Sequence, residues 1–109
     1  MSDDSRKIQG VWRVVSPAKL EYIIPISDQM LGSKVLYQLN DQVHPKQIDM
    51  QHRRPRARPR YSAQGIYHLT EETLTICWND SGQRPAEFPK QSGTGRDRFL
   101  VLRRMVDQD

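Results

Sequence analysis

The sequence has little of several features that would by themselves indicate a class of function. Its 109 residues include one cysteine, Cys77, which excludes an intramolecular disulfide framework and a metal site built from several thiolates. No apolar run approaches the roughly 18 residues of a membrane-spanning helix. Residues 1–7 are polar and charged, without the apolar stretch of a secretory signal. We therefore expect a cytoplasmic protein with no membrane partner.

The length and the low apolar content limit the size of the protein's core. A chain of 109 residues predicts one domain and excludes an enzyme with a cleft between two domains. Only 36% of the residues are apolar, so a large substrate cannot be enclosed on all sides. We assign residues 1–7 to a disordered N-terminal tail, residues 8–104 to the folded domain and residues 105–109 to a C-terminal tail.

The positive charge of the chain is concentrated in one segment. The net charge is +4, yet residues 52–60 contain five arginines and no acidic residue. Two prolines in this segment, Pro55 and Pro59, disfavour a helix, so we expect an extended, exposed loop. One hypothesis is a contact with an acidic partner, either nucleic acid or an acidic protein, and the other is a solvated loop that only adds solubility. Phosphate contact would weaken steeply with salt and would be lost on replacing these residues with serine: Arg53, Arg54, Arg56, Arg58 and Arg60.

Alternating apolar and polar residues predict β-strands along the whole chain. Residues 46–51 place Ile48 and Met50 on one face, and residues 73–78 place Leu74, Ile76 and Trp78 on one face. No segment has a convincing amphipathic helical pattern. Seven candidate strands result, at residues 11–15, 21–26, 34–39, 46–51, 65–69, 73–78 and 98–103.

The order of these strands predicts an all-β fold made of an antiparallel meander, either a sandwich or a small barrel. The hairpin around Thr70 is the best-defined element, because its loop is short and both arms are rich in β-branched or aromatic residues. Residues 17–33 contain Pro17 and Pro25 and have room for one strand. We therefore expect seven to eight strands, with an incomplete seam as one possibility, and an oligomeric state of monomer or homodimer.

Six short motifs in order resemble those of a lipocalin-like family known mainly from planctomycete bacteria. The opening Gly10-Val-Trp-Arg-Val-Val-Ser16 resembles its G-x-W-x-V-x-S motif. Five further matches follow: Pro45-Lys-Gln-Ile-Asp49, Gly65-Ile-Tyr-His-Leu69, Leu74-Thr-Ile-Cys77, Arg84-Pro-Ala-Glu-Phe88 and Ser92-Gly-Thr-Gly95. The resemblance implies a bacterial protein with a lipocalin-like, calycin-type antiparallel barrel of about eight strands. It implies no catalytic residue and no cofactor.

The fold implied by the resemblance leads to a non-enzymatic function. We expect a binding module for a small apolar or amphipathic ligand, with Trp12, Tyr67, Arg84 and Phe88 as candidate ligand-binding residues. The alternative is an interaction protein that engages an acidic partner through residues 52–60. Residues 84–88 also allow two interpretations. They form either a lid with Arg84 at the barrel mouth, or a buckle in which Phe88 plugs one end and Arg84 pairs with a carboxylate such as that of Asp49 or Glu87.

Residues that could perform catalysis or bind metal are sparse. Cys77 and His68 fall on neighbouring strands, but Cys77 lies in an apolar strand and is expected to pack as a small hydrophobic residue. The histidines His44, His52 and His68 lack the spacing of a zinc site. The sequence therefore favours a protein without catalytic residues, metal or cofactor.

Overall fold

The chain folds into a closed antiparallel β-barrel of eight strands, preceded by one short helix. This computed structural model describes residues 3–16, 22–32, 35–52, 62–79, 83–88 and 97–105. Its elements are α1 (Asp3–Lys7), β1 (Gly10–Ser16), β2 (Ile23–Ser27), β3 (Met30–Leu31), β4 (Val35–Asn40), β5 (Gln47–His52), β6 (Ser62–Leu69), β7 (Thr73–Asn79) and β8 (Asp97–Arg104).

Each strand pairs with the next in sequence, and β8 pairs with β1 to close the barrel. The prediction of an all-β antiparallel meander is therefore confirmed, and the incomplete seam is wrong. The seam closes because β3 forms within the segment that was expected to hold one strand. Gln29 adopts a positive φ of 74° and turns the chain between β2 and β3. Pro25 lies opposite Val11 in β2, and its carbonyl oxygen accepts a hydrogen bond from Gly32 where β3 ends.

The predicted alternation places the apolar side chains inside the barrel. Ile48 and Met50 of β5 belong to one buried cluster with Leu74 and Ile76 of β7. Neighbouring strands contribute their own alternate residues, so the core runs continuously around the barrel wall. The rest of this buried cluster consists of Ile8, Trp12, Val14, Ile26, Tyr37, Ala63, Tyr67 and Leu102.

The meander divides the connections between the two ends of the barrel. Because consecutive strands run in opposite directions, the β2–β3, β4–β5 and β6–β7 connections lie at the end where α1 enters β1. We call this the helix end. The last residues of β1, β3, β5 and β7 lie at the opposite end, which we call the loop end.

Residues 3–7 form the helix α1, so the prediction of a disordered tail over residues 1–7 does not describe them. The helix is held by tertiary contacts that a five-residue sequence pattern does not reveal. Asp4 is 6% exposed, and Ile8, directly after the helix, is fully buried. At the other terminus, the Met105 N–H donates to the Val11 carbonyl oxygen, which extends the β8 contact by one residue into the predicted tail.

Candidate functional site

The barrel contains an apolar cavity of about 260 Å³. Its wall is formed by side chains from β2 to β8, together with Gly32 next to β3. No lining residue carries a charged or hydrogen-bonding side chain other than the indole of Trp78. The lining residues are Ile24, Ile26, Leu31, Gly32, Val35, Met50, Ala63, Ile76, Trp78, Leu100 and Leu102.

The wall of the cavity is incomplete where two of its residues are small. Ala63 offers only a methyl group, and Gly32 offers none. A Cβ placed on Gly32 would have no atom within 4 Å, so this part of the wall is open space. The helix end, in contrast, is filled by large side chains such as those of Trp12 and Tyr67, which are almost completely buried.

Arg104 closes the helix end by joining three parts of the chain. Its guanidinium carbon lies 4.3 Å from the centroid of the Trp12 ring, a cation–π contact. Its Nε donates to the Glu71 carbonyl oxygen at 2.9 Å, its Nη1 to the Gln9 carbonyl oxygen at 2.9 Å, and its Nη2 to the Lys7 carbonyl oxygen. Gly10 makes room for this arrangement, because a Cβ at its φ of +140° would lie 2.7 Å from Arg104 Nη1.

A buried carboxylate anchors α1 to the barrel. Asp4 Oδ2 accepts a hydrogen bond from the Tyr67 hydroxyl at 2.7 Å and from Lys46 Nζ at 2.8 Å. Trp12 Nε1 adds a bond to the Ile8 carbonyl oxygen at 2.8 Å. Burial, together with the adjacent Asp4 carboxylate, raises the pKa of the Tyr67 phenol well above its ordinary value of 10.0. Tyr67 therefore stays neutral and serves as a hydrogen-bond donor in a structural contact.

Residues 83–88 brace the outer wall of the barrel. Arg84 Nη2 lies 2.6 Å from Asp49 Oδ1, and Arg84 Nη1 donates to the Gly65 carbonyl oxygen at 2.9 Å. Asp49 points outwards, because its neighbours Ile48 and Met50 belong to the interior. Of the two carboxylates that the sequence offered to Arg84, Asp49 is the one that forms the ion pair, and the pair lies on the outside of β5 and β6.

None of the four ligand-binding residues that the sequence suggested lines the cavity. Trp12 and Tyr67 fill the helix end, Arg84 is bound on the outer wall, and Phe88 is half-buried outside the lining. The residues that do line it include Trp78, which the alternating pattern placed on one face with Leu74 and Ile76. The alternation of apolar and polar residues predicted which side chains point into the barrel. The volume left between them depends on the length of every opposing side chain, which the alternation of one strand does not indicate.

The proposed anion contact cannot be placed in the same way. The contact of residues 52–60 with an acidic partner stays a prediction. Its five arginines lie outside the residues that the structure describes: Arg53, Arg54, Arg56, Arg58 and Arg60.

Other chemistry receives little support from the described part of the chain. Cys77 is fully buried, and with Ile66 opposite it on β6 it packs on the outer face of the wall. Within the described ranges, no group of three or more His, Cys, Asp or Glu side chains could hold a metal ion. The one helix found in those same ranges, α1, is not long and apolar enough to cross a membrane.

The chain was compared with protein-family models, curated proteins and solved structures. No family model, curated protein or solved structure matches it. The resemblance to a planctomycete lipocalin-like family accordingly stays a prediction.

Proposed function

We propose that this protein binds one small apolar ligand, or the apolar part of an amphipathic one, inside the barrel without changing it chemically. The observation that carries the proposal is the cavity of about 260 Å³ with its apolar wall. An apolar cavity does not hold water well, because water there would have no hydrogen-bond partners, so an apolar ligand gains free energy by filling it.

The cavity volume limits the size of the ligand. Benzene fits an engineered protein cavity of about 150 Å³, and most ligand pockets begin near about 300 Å³. At about 260 Å³, this cavity fits a single substituted ring or an alkyl chain of medium length. A sterol or a haem is too large to be enclosed.

Trp78 provides a direct reporter for the test, because its indole forms part of the cavity wall. We would titrate the protein with alkylbenzenes and with straight-chain alcohols from hexanol to dodecanol, and record tryptophan fluorescence and binding heat. The expected result is a saturable change whose affinity rises with chain length and then stops rising once the cavity is full. Titrations without any saturable signal in either measurement would refute the proposal.

A pair of variants on β6 locates the binding site. Ala63→Leu adds a larger side chain inside the cavity, and we expect it to weaken binding by roughly tenfold or more. His68→Leu adds a leucine at an exposed position of the same strand, and we expect unchanged affinity. If both variants weaken binding equally, the ligand does not occupy the cavity.

A further inference from the structure

The outer wall of the barrel exposes a row of apolar side chains where β8, β1 and β2 lie side by side. Val11 of β1 precedes the buried Trp12, so its side chain points outwards, and it is 43% exposed. Pro25 of β2 lies directly opposite Val11 and is exposed as well. On the other side, the Met105 N–H donates to the Val11 carbonyl oxygen, and Met105 is 45% exposed. Apolar side chains grouped in this way on an outer surface are a sign of a contact with a partner.

The next row along the same three strands carries two arginines. Arg13 is two residues after Val11 and therefore faces outwards too, between Arg103 of β8 and the exposed Ile23 of β2. Like charges directly opposite each other in an antiparallel pair destabilise it. Arg103 has an exposed ion pair with Glu72 at 3.9 Å, whereas Arg13 forms no ion pair with any residue in the described ranges. We call the two rows together the side-wall patch: Val11, Arg13, Ile23, Pro25, Arg103 and Met105.

The combination of apolar and cationic groups limits the chemistry of the partner. A carboxylate placed between Arg13 and Arg103 would relieve their repulsion, while apolar side chains beside it would cover the apolar residues of the patch. A second copy of this chain related by a two-fold axis would instead bring these arginines against their own equivalents. Nucleic acid is a poor match, because the six residues of the patch include no aromatic side chain on which a base could stack.

We propose that the side-wall patch binds an acidic segment of another protein, in which a carboxylate between apolar side chains reaches Arg13 and Arg103. The patch spans about 10 Å across the three strands and about 7 Å along them. This is well below the roughly 800 Å² that each partner buries in a standard interface, so the partner is a short segment with an expected Kd of about 10 μM to 1 mM. The proposal is independent of the cavity, because these side chains point away from the barrel interior.

The test selects peptides from a multivalent display library of random ten-residue sequences, with the wild-type protein as the target. We expect the enriched peptides to share an Asp or Glu with apolar residues one or two positions away. When such a peptide is titrated into the protein, the largest NMR shifts should belong to the backbone amides of Val11, Arg13 and Ile23. Affinity should fall when salt is added or when the acidic residue of the peptide is replaced by its amide.

Three variants of the protein locate the contact. Arg13→Gln should weaken peptide binding about fivefold or more, and Ile23→Ser roughly threefold through the lost apolar contact. Arg6→Gln is the matched control, because Arg6 is an exposed arginine on α1, outside the patch, and its loss changes the net charge equally. It should leave the affinity unchanged. The denaturation midpoint of Arg13→Gln should not fall, since the substitution removes an opposition of like charges.

The remaining outcomes would overturn the proposal. If no peptide binds, or if the enriched peptides lack acidic residues, the patch does not recognise an acidic segment. If Arg13→Gln and Arg6→Gln weaken binding equally, the peptides respond to net charge alone. NMR shifts centred on Ile76 would place the peptides in the cavity, and sedimentation showing a dimer that Arg13→Gln disrupts would make a second copy the occupant. Failed titrations of the cavity with alcohols would refute the proposed function and leave this inference standing.

Discussion

Replacing Arg104 with methionine is expected to destabilise the barrel far more than an ordinary surface substitution does. The Arg104 guanidinium stacks on Trp12 and donates hydrogen bonds to the carbonyl oxygens of Lys7, Gln9 and Glu71. Methionine keeps much of the apolar stem but supplies none of these bonds. The substitution therefore removes the hydrogen bonds that join residues 7–9 to the β6–β7 turn.

The size of the effect follows from the lost contacts. A net hydrogen bond contributes roughly 0.5–1.5 kcal/mol, and a cation–π contact at a partly exposed site contributes roughly 0.5–1 kcal/mol. Because water can reach part of this site, we take values near the lower ends and expect a loss of about 2–4 kcal/mol in the free energy of unfolding. That loss is a large fraction of the roughly 5–15 kcal/mol that stabilises an ordinary domain.

The assay is chemical denaturation followed by circular dichroism, with Arg103→Met as the control. Arg103 is the neighbouring residue, and its charged group lies 3.9 Å from that of Glu72, with both side chains exposed. Such a pair contributes at most about 1 kcal/mol. Arg104→Lys, which keeps the charge but fewer donors, should fall between the two. If Arg104→Met costs no more than Arg103→Met, the contacts around Trp12 do not stabilise the fold as argued.

Three further predictions concern the barrel wall and its buried groups. Gly65→Ala should cost about 1–3 kcal/mol in thermal or chemical unfolding, because the new Cβ would lie 2.6 Å from the Cys77 carbonyl oxygen; an unchanged stability would contradict this close approach. Because the pKa of Tyr67 is raised in the fold, its contribution to stability is complete below the unfolded value of 10.0 and is lost as pH rises above it. Tyr67→Phe should accordingly show a shallower loss of stability than wild type in unfolding measured from pH 8 to 11, and parallel curves would exclude this origin. Arg84→Met should destabilise more than Asp49→Asn in denaturant titrations, because it also deprives the Gly65 carbonyl oxygen of its donor, and the reverse order would refute that contact.

The sequence was informative where long-range contacts and local pattern agree. Alternation over β5 and β7 identified the inward residues, since a strand with one buried face has a period of two. The β6–β7 hairpin was equally clear, because its turn and both arms favour the same structure. The confirmed meander follows from such local signals repeated along the chain.

The elements that the sequence did not reveal depend on the rest of the barrel. Two-residue β3 and five-residue α1 are too short for a period to be recognised. β3 forms because the turn at Gln29 reverses the chain and places Met30 and Leu31 between β2 and β4. α1 is held in place because Asp4 accepts hydrogen bonds from Tyr67 and Lys46 of the barrel. The candidate site was missed for a related reason: a cavity is the space that side chains from several strands leave unfilled, and no single segment encodes it.

The shortness of β3 also determines where the closed barrel opens most easily. Parting β2 from β4 requires Met30 and Leu31 to leave their ladders and Tyr37 to release the carbonyl oxygens of Ser27 and Gln29, whereas the other seams are held along longer strands. Local opening of this kind is a partial unfolding event with a lower free energy than global unfolding, so amide hydrogens of β3 exchange with solvent before those of β7. Because Leu31 and Gly32 line the cavity, each such opening exposes the interior of the barrel through its side wall.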